Sequence, residues 1–536
     1  QRVAEALEAR GTGDNQTVTE LAHHWLAAAR PSDATKALYY ARRAGDAALA
    51  AFAPIDAVHW YTQAIELHAR HAHGDGPRDD RHEEHARCAL LTALGTAQRQ
   101  AGLPEHRDTL REAGRIALRL ADRDLLIGVA LSRDAGFDSY TEADPDRLAV
   151  LEAALAAVDP EDSTTRARLL ACLAEETDPR DVIRRCELAG EAIDMARRTG
   201  DDATLLAVLV VALTPLLTPD MLDRRLQETS VALALAERSG DLPSRFMALY
   251  HRAQSVMETG DLDEFDSRLT ELATIAERTG LPFQRWQVLM LRSLRHLLAG
   301  RTTEAEADLN ALLDLGTRIG FPLTGAVYGA MFLQRNQQQG RLAELVEVAA
   351  QAIADNPSIP GWRMSLMSMY CKLGRYDDCA ALFDLGYATG FSDLIITGSW
   401  LVGGTCYADC AADMGRTDAA PRLYELLLPY ASRFVFNACN EYGAVARPLG
   451  RLATLLGRFD DAETHLRYAL AMHERMQAPY WIALTRLDLA ELCLARQGPT
   501  DAASARELIA QAQRAVEHYG YAGLTPQAER LRGQFT

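Results

Sequence analysis

Lysine is almost missing from this chain: its 536 residues include two, Lys36 and Lys372. A phosphate loop of the GxxxxGK[ST] type needs a lysine behind a glycine turn, and neither lysine has that setting. The formal charge is −18 and nearly all cationic charge is arginine, so nothing concentrates enough positive charge to hold a nucleic-acid backbone. Long apolar runs are missing as well. The nearest approach, LLAVLVVALTPLL from Leu205 to Leu217, is too short to span a bilayer and is broken by Pro215, so no membrane span is expected. Cysteine pairing has no framework either: there are nine cysteines, an odd number at irregular spacings. Free thiols in a reducing, cytoplasmic compartment fit this pattern, and no signal-peptide pattern opens the chain.

What is present points to helix. Hydrophobic residues make up 48% and charged residues 24%, and alanine and leucine dominate while β-branched residues are sparse. The length exceeds what one compact core holds, so several domains or a repeat array is required. Glycine decides for the array. Gly240, Gly280 and Gly320 are forty residues apart, and Gly260, Gly300 and Gly340 interleave with them at the same period. Two registers with one period describe a repeated helix–turn–helix hairpin with a glycine in each kind of turn. The phrase continues at Gly374, Gly415 and Gly457, at steps of 34, 41 and 42. Periods in this range mark a helical solenoid, so the expected fold is all-α.

One unit shows the internal logic. In GRFDDAETHLRYAL, Gly457 to Leu470, the residues Ala462, Leu466, Ala469 and Leu470 share one helical face. Asp460 and Asp461 open the second helix, where negative charge suits free N–H groups. Seven residues before each turn glycine stand Ala253, Ser293, Leu333, Met367, Ala408 and Gly450, mostly small, as close helix approach requires. The expected organisation is four segments. Residues 1–75 form N-terminal hairpins following an upstream domain, because the chain opens inside a helical pattern, QRVAEALEAR. Helical repeats follow over 76–160, hairpins with a bend over 161–239, and regular repeats over 240–536.

These hairpins resemble tetratricopeptide repeats, with Gly457, Phe459, Ala462, Leu466 and Ala469 falling on that repeat's pattern. KALYYARRAGDAALAAFAPIDAVHWYTQAIEL, VARPLGRLATLLGRFDDAETHLRYALAMHERM and TRLDLAELCLARQG are more specific. They resemble the repeat region of large actinobacterial P-loop ATPase signalling proteins, including LuxR-type transcriptional regulators and nucleotide cyclase-associated ATPases. The resemblance implies a non-catalytic module that binds a partner protein or ligand and controls an attached ATPase-containing regulator. The chain's own upstream nucleotide-binding domain is one implied partner. A constitutive peptide scaffold is the alternative, and a metal-dependent enzyme is a third.

Candidate chemistry is sparse. His68, His71, His73, His82 and His85 could approach a metal in pairs, but their spacing matches no zinc motif and a solvated polar segment explains them. Cys406 and Cys410, one helical turn apart, read as core, and the glycines of GSWLVGGTC as close packing. No cofactor, metal ligand or catalytic residue is assigned. The expected binding surface is geometric. Ten and six residues before the turn glycines, the first helix of each hairpin should face the concave side, at Tyr250, Gln254, Gln334, Asp409, Arg447 and Arg451. There a small ligand or peptide would bind, and Arg447 with Arg451, one turn apart, would hold an acidic group.

Overall fold

A computed structural model describes residues 2–10, 15–28, 33–72, 80–132, 143–355, 360–392, 400–437 and 439–535. They form a tandem array of α-helical hairpins of the tetratricopeptide type. The regular stretch shows how sequence sets geometry. Helices Leu242–Thr259, Leu262–Thr279, Pro282–Leu298 and Thr302–Arg318 follow one another with turns of two or three residues. At Gly260, Gly300 and Gly457 φ is 76°, 73° and 72°, the left-handed region that a side chain resists. In each case the next residue donates its N–H to a carbonyl five positions back: Asp261 to Val256, Arg301 to His296 and Arg458 to Ala453. That bond closes the first helix and aims the second antiparallel to it.

The small residues seven before the glycine do the packing expected of them. A Cβ on Gly450 would lie 2.5 Å from Leu466 Cγ, so the first helix meets the second at its own backbone. Ala253 and Ala408 are fully buried at the equivalent place. Neighbouring hairpins merge into continuous cores. One runs from Cys88 to Ala248, passing position 160 without a break. The short helices Arg123–Ala130, Pro145–Ala156 and Thr164–Glu176 lie within that stretch.

The array also winds back onto itself. Arg107 Nη1 donates to the Gly320 carbonyl, 213 residues away, and Tyr430 hydrogen-bonds Asp220 across 210 residues. A Cβ on Gly300 would touch Tyr519 at 2.8 Å, so a turn of one hairpin seats against a hairpin far along the chain. The largest core accordingly joins residues 246–331 with residues 434–531. At forty residues per hairpin, these separations correspond to about five hairpins per superhelical turn.

One element departs from the helical expectation. Phe434–Phe436 and Glu441–Ala444 pair as an antiparallel β-hairpin between helices Ala420–Leu427 and Ala446–Leu455. Its register is Phe434 with Ala444, Val435 with Gly443 and Phe436 with Glu441, leaving Tyr442 as the extra residue of a bulge. Gly443 is required twice over: its φ is 75°, and a Cβ there would lie 2.8 Å from Trp481. The base of the hairpin is core, with Phe434 and Val435 buried. At its turn, Asn440 and Glu441 are buried against helix Thr324–Gln338.

Candidate functional site

First helices of successive hairpins line the interior and meet the tip of the β-hairpin at a cavity of about 90 Å³. Gln334 reaches it from helix Thr324–Gln338, Ser368 and Lys372 from Pro360–Lys372, Thr405 and Asp409 from Trp400–Met414, and Arg447 from Ala446–Leu455. Tyr480 and Trp481 of helix Pro479–Arg496 form the opposite wall. Five of these residues occupy the positions ten or six before a turn glycine: Gln334, Ser368, Thr405, Asp409 and Arg447. The inward-facing register read from the repeat is therefore the register that lines the cavity. A larger cavity of about 410 Å³, with Phe52, Met247, Phe283 and Gln287 in its wall, includes none of the six residues expected to bind.

The six expected residues divide. Tyr250 and Gln254 face inward but are wholly buried in the core shared by the two halves of the turn, so they present nothing to a guest. Both polar atoms of the Gln254 amide lack a hydrogen-bond partner among the described residues. Gln334 and Asp409 are partly exposed and line the cavity. Arg447 and Arg451 are buried, with 1% and 8% of their surface exposed.

The two arginines are committed to internal ion pairs. Arg447 donates to Asp488 at 2.9 Å and to Asp409. Arg451 donates to Asp409 at 2.8 Å and to Asp413, and its Nε lies 3.3 Å from Asp488. Lys372 sits 3.5 Å from Asp413. Three cations and three carboxylates thus alternate across four successive inner helices, and their formal charges cancel. The arginines hold Asp409 and Asp413 below the ordinary carboxylate range despite the burial that opposes it. The ladder fastens hairpin to hairpin, and the free anion site expected from Arg447 and Arg451 is filled by these aspartates.

What the cavity offers instead is amide chemistry, already in use. Gln334 Nε2 donates to the Glu441 backbone carbonyl at 3.0 Å and to the Glu441 carboxyl at 2.5 Å. Its Oε1 accepts from Asn440 Nδ2 at 2.6 Å, and the same Nδ2 donates to the Ala330 carbonyl at 3.1 Å. The Glu441 carboxyl also accepts from Trp481 Nε1. Burial pushes that carboxyl up to about 8, with the Trp481 and Gln334 donors pulling the other way, so Glu441 is largely protonated at neutral pH. Beneath it, His473 Nε2 accepts the Ala444 N–H at 2.8 Å while Nδ1 donates to Thr485 at 3.0 Å. Burial, reinforced by Arg447, holds this imidazole neutral by depressing its pKa to about 3.

The β-hairpin, Glu441 and Asp488 were not anticipated from sequence. A signal existed: RFVFNACNEYGA sets an aromatic and β-branched run beside an asparagine-rich turn and a glycine. Of the histidines weighed for metal, His68 bonds the Glu83 carbonyl at 3.0 Å, His71 the Leu67 carbonyl at 2.8 Å, and His85 lies 3.8 Å from Asp122. His73 is outside the described residues. Cys406 and Cys410 are buried, as core residues. Gly404 also packs closely, a Cβ there lying 3.0 Å from Leu427. No helix of the described residues is long and apolar enough to cross a membrane.

No family model and no curated protein matches the sequence. Among solved structures, a Rap protein complexed with competence and sporulation factor is 12% identical, with 82% of this chain and 99% of that chain covered and a TM-score of 0.29. Naa15/Naa10 bound to HypK-THB is 11% identical over 99% and 93% of the two chains, with a TM-score of 0.24. A circular tandem repeat protein is 14% identical over 98% of each, with a TM-score of 0.14. At such identities and scores, the fold rests on the hairpin geometry of the chain itself.

Proposed function

We propose that this chain is a non-catalytic recognition module that binds an extended segment of a partner polypeptide in the interior of its superhelix. The β-hairpin tip holds that place in the unbound state. The observation that carries this reading is the double engagement of Gln334 with the Glu441 backbone carbonyl and the Asn440 side-chain carboxamide. A carboxamide offers one donor face and one acceptor, the complement of a peptide group, so a guest chain would find the same partners. Gln337, Gln338 and Ser368 extend the polar wall, and Tyr480 and Trp481 supply an apolar face for alternate side chains. With its charges internally neutralised, the ladder would favour an uncharged or mixed segment over an acidic one.

The sequence resemblance supports the further reading that occupancy is relayed to an attached P-loop ATPase or transcription regulator. A constitutive scaffold would need no occupant to be displaced, and the cis-bound tip favours the regulated form. The test is to replace residues 437–441 with two glycines and add a labelled peptide of residues 436–442 in trans. We expect the shortened variant to bind the peptide and the parent chain not to, with Gln334→Ala abolishing the gain. A folded shortened variant that binds no better than the parent would remove the proposal.

A further inference from the structure

Three cysteines that are scattered in sequence converge in the fold. Cys371 lies in the last turn of helix Pro360–Lys372, Cys379 in the first turn of Tyr376–Ala388, and Cys410 in Trp400–Met414. Their sulfurs lie within 4.8 Å of one another, and all three residues are buried. The hairpin turn at Gly374 folds the first two together, and the next inner helix supplies the third. Among the described residues this is the group of metal-ligating side chains that comes together, and it contains no imidazole or carboxylate.

We propose that Cys371, Cys379 and Cys410 form a binding site for a thiophilic metal ion held by three sulfurs, with Cu(I) the ion it fits. Soft thiolates select Cu(I) and zinc over harder ions. Zinc asks for a fourth ligand in a closed site, and the nearest candidate is already engaged. Asp413 accepts from Arg451 through Oδ1, while its Oδ2 lies 3.5 Å from both Lys372 Nζ and Cys371 Sγ. A monovalent ion content with three sulfurs needs no such ligand. It would displace the thiol protons to solvent, with no change in oxidation state.

The experiment is an anaerobic titration of the full chain with Cu(I) against bicinchoninate. One Cu(I) per chain is expected, weakened by at least about tenfold in Cys371→Ser, Cys379→Ser and Cys410→Ser. Cys406→Ser, one turn from Cys410, should leave it unchanged. Failure of the parent chain to hold Cu(I), or serine variants that hold it equally well, would overturn the site. Preference for Zn2+ with refusal of Cu(I) would overturn the three-coordinate assignment. Should the serine variants unfold, alkylation of the loaded parent chain reads the site directly. Protection that Cu(I) adds, relative to the unloaded chain in mild denaturant, at Cys371, Cys379 and Cys410 supports it, and added protection of any other set contradicts it.

Discussion

The N-terminal hairpins and the closed superhelical turn are built from the same unit and held by different physics. Between Ala4 and Ala97 most of the buried apolar residues form three small clusters, each shared by hairpins adjacent in sequence. Between Phe246 and Leu531 one core joins hairpins nearly two hundred residues apart. The first arrangement is a sum of local and nearest-neighbour terms and can open from its end. The second cannot lose one hairpin without exposing another a full turn away. Polar contacts follow the same division. Lys36 pairs with Glu8 at the surface, whereas Arg447 and Arg451 are buried among three aspartates. Closure is what makes an interior, and an interior is what a recognition site requires.

The largest expected effect breaks the closed turn alone. Arg447→Met leaves Asp488 buried without its main partner and should destabilise this region by about 3–5 kcal/mol. In urea melts followed by hydrogen exchange, helices 446–531 should lose protection while the hairpins before residue 72 keep theirs. Equal losses in both regions would show that the array unfolds as one unit. Gly450→Ala forces a methyl against Leu466 and should cost about 1–3 kcal/mol, read as a lower urea midpoint with an unchanged slope.

The pH dependence sharpens the comparison, because three strongly shifted groups, His251, Glu441 and His473, lie in the closed turn. Glu441 has a folded pKa raised to about 8, so its stabilisation is full below its ordinary value of 4.5 and is lost as pH rises through 8. His251 and His473 are depressed to about 4 and about 3, so theirs is full above 6.5 and lost as pH falls through those values. The stability of this region should fall on the alkaline side up to about pH 8, and Glu441→Gln should flatten that limb. A limb that survives the substitution would place its cause elsewhere. The smallest expected effect is Gly457→Ala, a left-handed turn with nothing near its Cβ. It should cost about 1–2 kcal/mol, from backbone strain alone.

Much of this fold was legible in glycine spacing, because a left-handed turn admits few other residues. The inward register was legible too: it found Gln334, Asp409 and Arg447 at the cavity. Periodicity could not reveal that the array closes. Tyr250 and Gln254 obey the same register but meet residues far along the chain, so they became core. Nor could it show that Arg447 and Arg451 face Asp409, Asp413 and Asp488 rather than solvent. Charge alternation between inner helices depends on their spatial order as much as on sequence. The cysteine cluster was hidden for a related reason: Cys406 and Cys410 are neighbours on one helix, yet Cys410 turns toward Cys371 and Cys379.

A β-hairpin tip that is a displaceable occupant of the interior, held by Gln334, must open without the helices around it. Hydrogen exchange at Asn440 and Glu441, in the parent chain and in Gln334→Ala, tests it most directly. Exchange well before global unfolding is expected, with clear acceleration in the variant and with helices Thr324–Gln338 and Pro479–Arg496 unchanged. Exchange of these amides only with global unfolding, identical in both proteins, would contradict it and make the tip a fixed part of the core.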